Sequence, residues 1–184
     1  MSTDLVDLLE DVEHVMLAFD GPVCSAFGGD PTPGATSVLT AARRSERELS
    51  IVSDISREAV EAYLADRGLL EHFEAVEGRA GSNVEQAPPG PHLLIKALSA
   101  YASRHGSTLE QARRASVFVG GSMTDVQAAG AAGVLCIAYA NEPSERRRFE
   151  EESDAAAVIS TMDELAEALN ARWDAQWCAR QGCC

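Results

Sequence analysis

Six short, largely apolar runs are interleaved with stretches of helical spacing: Val15–Phe19, Leu49–Val52, Phe73–Glu77, Val117–Val119, Val134–Tyr139 and Ala156–Ile159. A strand apolar on both sides cannot leave one face in water, so it belongs in a parallel sheet covered by helices on both faces. Right-handed crossovers then give a doubly wound, Rossmann-like α/β architecture, in which ligands gather at the carboxyl ends of the strands.

The helical stretches follow from apolar spacing and end signals. Leu5, Leu8, Leu9 and Val12 predict a first helix over Asp4–Glu13, and Ala35–Arg47 reads as a second. Ser53-Asp54-Ile55-Ser56 offers caps for a helix through Asp66, followed later by helices over Pro91–His105 and Thr124–Ala132. Thr161 and Glu164 form a capping-box pattern that opens the last helix. Phe27–Gly34 and Gly78–Pro91, rich in Gly and Pro, read as loops.

At 184 residues the chain suits one domain with one core. A formal net charge of −14 argues against nucleic acid as a partner, because phosphate backbones demand clustered Lys and Arg. No apolar run is long enough to span a bilayer, and the acidic opening lacks the basic region of a signal peptide, so a cytoplasmic location is expected. An Ala- and Arg-rich chain whose one lysine is Lys96 suggests a high-GC bacterial gene. Cys24 and Cys136 are expected as small core residues rather than disulfide partners. His14, His72, His92 and His105 are scattered without metal-ligand spacing.

Four segments at strand ends, in order, carry a resemblance: VMLAFDGPVC (15–24), SIVSDIS (50–56), PPGPHLLIKAL (88–98) and VFVGGSMTDVQAAGAAG (117–133). Together they resemble the haloacid dehalogenase (HAD) superfamily, most of all its actinobacterial, phosphoglycolate-phosphatase-like members, and the likeness runs from about Val15 to Leu169. The resemblance implies a HAD-like core and phosphoryl chemistry. An aspartate closing the first strand attacks phosphorus, and a carboxylate two residues on acts as acid and base. A Ser or Thr after the second strand and a later lysine hold phosphate, and carboxylates after the fourth strand hold Mg²⁺.

Several of those positions depart from the pattern. The nucleophile position is Ala18, the lysine position is Pro88, and the first metal-aspartate position is Gly121, in a motif that reads as shortened. Asp20, Ser53 and Asp125 remain and are expected as remnants of the site. No metal or other cofactor is expected, because Mg²⁺ needs one or two well-placed carboxylates that are missing here. Lys96, two helical turns past Pro88, is expected as a solvated helix lysine. A four-helix cap would need about 60 residues, whereas the interval from Asp20 to Ser53 holds a loop and one helix. The cap is therefore expected to be lost.

The chain divides into a HAD-like domain over 1–169 and a C-terminal helical extension with a Cys-rich tail over 170–184. Met162, Leu165, Leu169, Trp173 and Trp177 form one helical stripe, which packs on the sheet or docks a partner. Cys178, Cys183 and Cys184 read as an incidental terminus, as thiols for a tail-modifying enzyme, or as an incomplete metal site. The expectation for function is a catalytically degenerate binding or scaffold protein that presents its Trp/Cys tail to a partner or modifying enzyme. The alternatives are a capless phosphatase rewired around Asp20, Ser53 and Asp125, and a thiol carrier or metal-binding tail.

Overall fold

The structure, a computed structural model, describes residues 5–25, 29–79 and 91–181, with side chains as far as residue 171. Six parallel strands form one sheet: β1 (His14–Ala18), β2 (Glu48–Ser56), β3 (Ala75–Arg79), β4 (Ser116–Gly120), β5 (Leu135–Tyr139) and β6 (Ala157–Ile159). Their order is β3-β2-β1-β4-β5-β6, so the chain winds outward from β1 in both directions. This is the doubly wound, Rossmann-like sheet expected from the apolar runs.

The connecting helices are α1 (Leu5–Leu8), α2 (Ala35–Arg44), α3 (Arg57–Asp66), α4 (His92–His105), α5 (Leu109–Arg114), α6 (Met123–Ala132), α7 (Pro143–Glu152) and α8 (Met162–Gln181). Along β1 the side chains alternate between two cores. Val15 and Leu17 join the core that includes α2, α3 and α8, while Met16 and Ala18 face the core that includes α4 and α6. The two-residue period of a strand therefore decides that position 18 looks toward α4 and α6. Between β1 and β2 the helix among the described residues is α2, which packs on α8 as part of the body. Among the described residues no cap covers the sheet's carboxyl end.

Several boundaries differ from expectation, each for a physical reason. The first helix stops at Leu8 instead of reaching Glu13. Arg47, 6% exposed, donates to the carbonyls of Leu9, Val12 and Leu169. Leu9 O shares the guanidinium with Val12 N, which closes a turn at 3.3 Å instead of continuing the helix. β2 continues past Val52 through an irregularity, so Ser53 to Ile55 lie in the strand and Ser56 alone caps α3, accepting from Ala59 N. The third strand sits two residues later than predicted. Helices α5 and α7 were not foreseen in the sequence. Each buries a single side chain, Ala112 and Phe149 respectively, so neither shows an apolar stripe. The Thr161–Glu164 capping box is present, with Glu164 Oε1 accepting from Thr161 N at 3.0 Å. Cys24 and Cys136 are buried small core residues outside any disulfide, as expected.

Helix α8 runs unbroken across residue 169 to Gln181. The side chains of Trp173, Trp177 and Cys178, and all of Cys183 and Cys184, lie outside the described residues. Among the described residues no helix is long and apolar enough to cross a membrane.

At the amino end of the sheet, His14 is completely buried. Its Nδ1 lies 2.9 Å from Ser116 Oγ on β4, and its Nε2 lies 2.8 Å from Ser50 Oγ on β2. A neutral ring donates at one nitrogen and accepts at the other, so one imidazole joins three strands. Tyr101 stacks on it with centroids 4.7 Å apart. Burial pushes its pKa down to about 4, although Glu48 pulls the other way; Arg104 and His105 on α4 add to the lowering.

Two predictions follow from these buried groups. Between pH 6.5 and about 4 the unfolded chain binds a proton at position 14 that the folded chain refuses, so acid removes about 3 kcal/mol of stability through this residue. In urea unfolding, the advantage of wild type over His14→Gln shrinks by that amount between pH 7 and pH 4; parallel curves would contradict it. Arg47→Met, which removes the guanidinium shared by the carbonyls of Leu9, Val12 and Leu169, costs about 3 kcal/mol in the same assay at pH 7.

Candidate functional site

The carboxyl ends of β1, β2 and β4 and the start of α4 enclose one cavity of about 250 Å³. Its polar lining includes Asp20, Ser53, Asp54, His92, Ser122 and Asp125; Ala18, Val52, Leu93, Leu94 and Phe118 are part of its apolar wall. Asp20, Ser53 and Asp125, far apart in sequence, thus share one chamber, and Ala18 contributes a methyl group where a side chain could reach the ligand space.

After β1 the chain turns sharply at Gly21, whose φ of 91° lies in the left-handed region. The turn is held by Cys24 N donating to Phe19 O and Gly21 N donating to Cys24 O, each at 2.9 Å, and by the Thr32 hydroxyl donating to Gly21 O. This loop rests directly on the one after β4. A Cβ placed on Gly121 would stand 3.1 Å from Asp20 O and 3.4 Å from Gly21 Cα. The first atom of an aspartate at 121 would press on this backbone, which would have to give by a few tenths of an ångström.

Asp125 is committed to local structure. Its Oδ2 accepts from Gly121 N and Ser122 N at 3.0 Å each, while Ser122 Oγ accepts from Asp125 N, giving a complete capping box at the start of α6. Burial raises its pKa against the pull of those hydrogen bonds. Asp20 is also raised, first by burial and then by the charge of Asp54. Asp54 is raised by burial, with Arg79 and His92 opposing.

Two site residues went unread in the sequence. Asp54 directly follows Ser53, and His92 follows the Pro-Pro-Gly-Pro stretch at the start of α4; adjacency to motif positions was the available signal for both. His92 Nε2 is buried without a hydrogen-bond partner. Pro88 and the loop around it lie outside the described residues. Lys96 is an exposed lysine on α4, and its Nζ also lies 2.7 Å from Oε2 of Glu77, whose side chain is 7% exposed in the middle of β3.

The donor set does not fit a hexacoordinate divalent ion. Ala18 and Gly121 offer no side-chain oxygen, Asp125 already accepts two backbone N–H groups through Oδ2, and Asp20 O packs against Gly121. Among the described residues, no three acidic, His or Cys side chains are placed to hold a metal ion.

A doubly wound sheet with its chamber at the carboxyl ends of the strands places the chain among the Rossmann-like α/β proteins. The sequence model of the haloacid dehalogenase-like hydrolases matches residues 28–139, and the chain belongs to that family. Solved structures agree on the fold. A HAD-superfamily hydrolase from Ehrlichia chaffeensis is 19% identical with a TM-score of 0.57, over 77% of this chain; this chain covers only 58% of that protein. CbbY from Rhodobacter sphaeroides, solved in complex with phosphate, is 17% identical with a TM-score of 0.65, over 86% of this chain and 99% of the other. The cobalt-bound deoxy-D-mannose-octulosonate 8-phosphate phosphatase of Haemophilus influenzae is 15% identical with a TM-score of 0.60, over 91% and 92%. A search of curated proteins returned no match.

The glycine contact makes a prediction with opposite signs at two positions. Gly121→Ala, pressed against Asp20 O, lowers stability by about 1–2 kcal/mol. Gly130→Ala, in α6 with open space around it, raises stability by about 0.5–1 kcal/mol. Thermal unfolding of the two variants checks both; a neutral Gly121→Ala would contradict the close packing.

Proposed function

We propose that this family member does not catalyse phosphoryl transfer and acts by binding. The observation that carries the reading is Ala18, whose methyl group ends β1 on the cavity wall where relatives are expected to present an aspartate. Alanine has no atom that can attack phosphorus. Three further features point the same way. Asp125 is occupied as a cap, Gly121 is packed under the Asp20 carbonyl, and Asp54 puts a carboxylate beside Ser53, where a phosphate would have to sit. Like charges at that spacing oppose phosphate binding.

The C-terminal extension is the second part of the proposal. Trp173, Trp177, Cys178, Cys183 and Cys184, in the stretch after residue 170, are the residues proposed to engage a protein partner or a tail-modifying enzyme. Trp is a frequent interface anchor, and thiols are common targets of modification. Intact-mass analysis of protein from its native host should show adducts on this tail; unmodified protein, with Cys→Ser variants that behave as wild type, would remove that half of the reading.

A rewired hydrolase is the competing reading, favoured by one observation: Asp20, Ser53 and His92 line the same chamber. An aryl phosphate assay with Mg²⁺ separates the two. The expected rate lies about 10⁴- to 10⁶-fold below that of an enzyme with its nucleophile in place, and Asp20→Asn leaves that residual rate unchanged. Robust turnover abolished by Asp20→Asn would establish the hydrolase instead.

A further inference from the structure

If the chamber does no phosphoryl chemistry, its charge and shape specify a different ligand. Asp20 and Asp54 stand at its rim, and neither carboxylate accepts a hydrogen bond from a described residue. Asp125 adds a third negative charge on the same wall. No Lys or Arg is among the lining residues. The chain's single lysine is bound to Glu77, and Arg79 acts on Asp54 from outside the lining. The sequence between Arg79 and His92 holds no basic residue. An anion entering this chamber meets three carboxylates, with Arg79 and His92, which both act on Asp54, as the basic groups nearby.

Two further polar groups look for a partner. Ser53 is 6% exposed and lines the chamber; its Oγ accepts from Ile55 N at 3.0 Å, but its hydroxyl proton finds no acceptor among the described residues. His92 Nε2 is buried and unpaired on the chamber wall. Leaving such groups unsatisfied costs free energy that a ligand recovers. The remaining wall, Ala18, Val52, Leu93, Leu94 and Phe118, suits an apolar stem.

We propose that this chamber binds a small organic cation: a primary ammonium group with a hydrogen-bond acceptor beside it and a short aliphatic stem. The ammonium donates to Asp20 and Asp54, which line the same chamber. The neighbouring acceptor takes the Ser53 hydroxyl, and the stem lies on the wall built by Ala18 and the start of α4. An aspartate at position 18 would fill that stem pocket, so its replacement by alanine creates the apolar floor. The proposal rests on the non-catalytic reading of the same chamber.

The test titrates ¹⁵N-labelled full-length protein with L-leucinamide, N-acetyl-L-leucinamide and inorganic phosphate in turn, following the amide resonances of Ser53, Asp54 and Gly121. Leucinamide is expected to shift them with a Kd of about 1 mM. The acetylated compound, matched in shape but uncharged, should bind about tenfold or more weakly, and phosphate should shift nothing. Asp54→Asn and Asp20→Asn each weaken leucinamide binding about three- to tenfold, while Glu110→Gln on the surface of α5 does not. Equal binding of the charged and acetylated compounds, absence of shifts with leucinamide at about ten times that concentration, or binding of phosphate overturns the proposal. The spectra report folding of each variant directly. Turnover in the phosphatase assay would strike the non-catalytic reading; loss of ammonium selectivity without turnover strikes this proposal alone.

Discussion

Strand β1 is hydrogen-bonded on both edges, to β2 through Ala18–Val52 and to β4 through Leu17–Val119. A strand fixed on two sides cannot slip by one residue without turning every side chain to the opposite face. That register points Ala18 into the chamber and buries Leu17 on the other side. It also aligns the ends of β1, β2 and β4, so Asp20, Asp54 and Asp125 converge from three separate stretches of chain. His14 secures the opposite end of the same three strands through two serines. The chamber's geometry is thus a consequence of how the central strand is held.

Electrostatics then gives that geometry its character. A HAD-type site handling phosphate must offset negative charge on the ligand, with a metal ion and a lysine as the usual means. Here the lysine is tied to Glu77, the position of a metal carboxylate is a glycine under a carbonyl, and three carboxyls are each raised by burial. Raised carboxyl pKa values mean that the folded protein tolerates these charges at a cost. The cost falls as pH drops and the groups take up protons, the opposite of the His14 effect. The two ends of the sheet therefore respond to acid with opposite sign.

The sheet was largely legible because its strands are short apolar runs, a pattern that burial on both faces demands. Polar residues hid the rest. β2 extends through Ser53-Asp54-Ile55 because partners on β3 continue to pair it past the irregularity, which the sequence marks only as cap-like residues. Helix α7 is stabilised along its surface by Arg146–Glu150 and Arg148–Glu152 pairs rather than by an apolar face, so no periodicity announces it. At the site, Ala18, Asp20, Ser53 and Asp125 could be read from motif position. Asp54 and His92 could not, since their roles come from neighbours that only the folded topology supplies. His14 carried no signal, because a buried imidazole is distinguished by its two serine partners and not by any spacing of histidines.

The meeting of Gly21 and Gly121 bears on how such a chain can change over generations. Restoring an acidic side chain at 121 pushes against the Asp20 carbonyl before any ion arrives to reward it, and restoring one at 18 buries a lone charge among Met16, Val52 and Phe118. Each step backward is penalised unless the other has already been taken and the β1 loop has withdrawn. Acidic side chains at both positions would therefore require the loops after β1 and β4 to move together, a coordinated change rather than two independent ones.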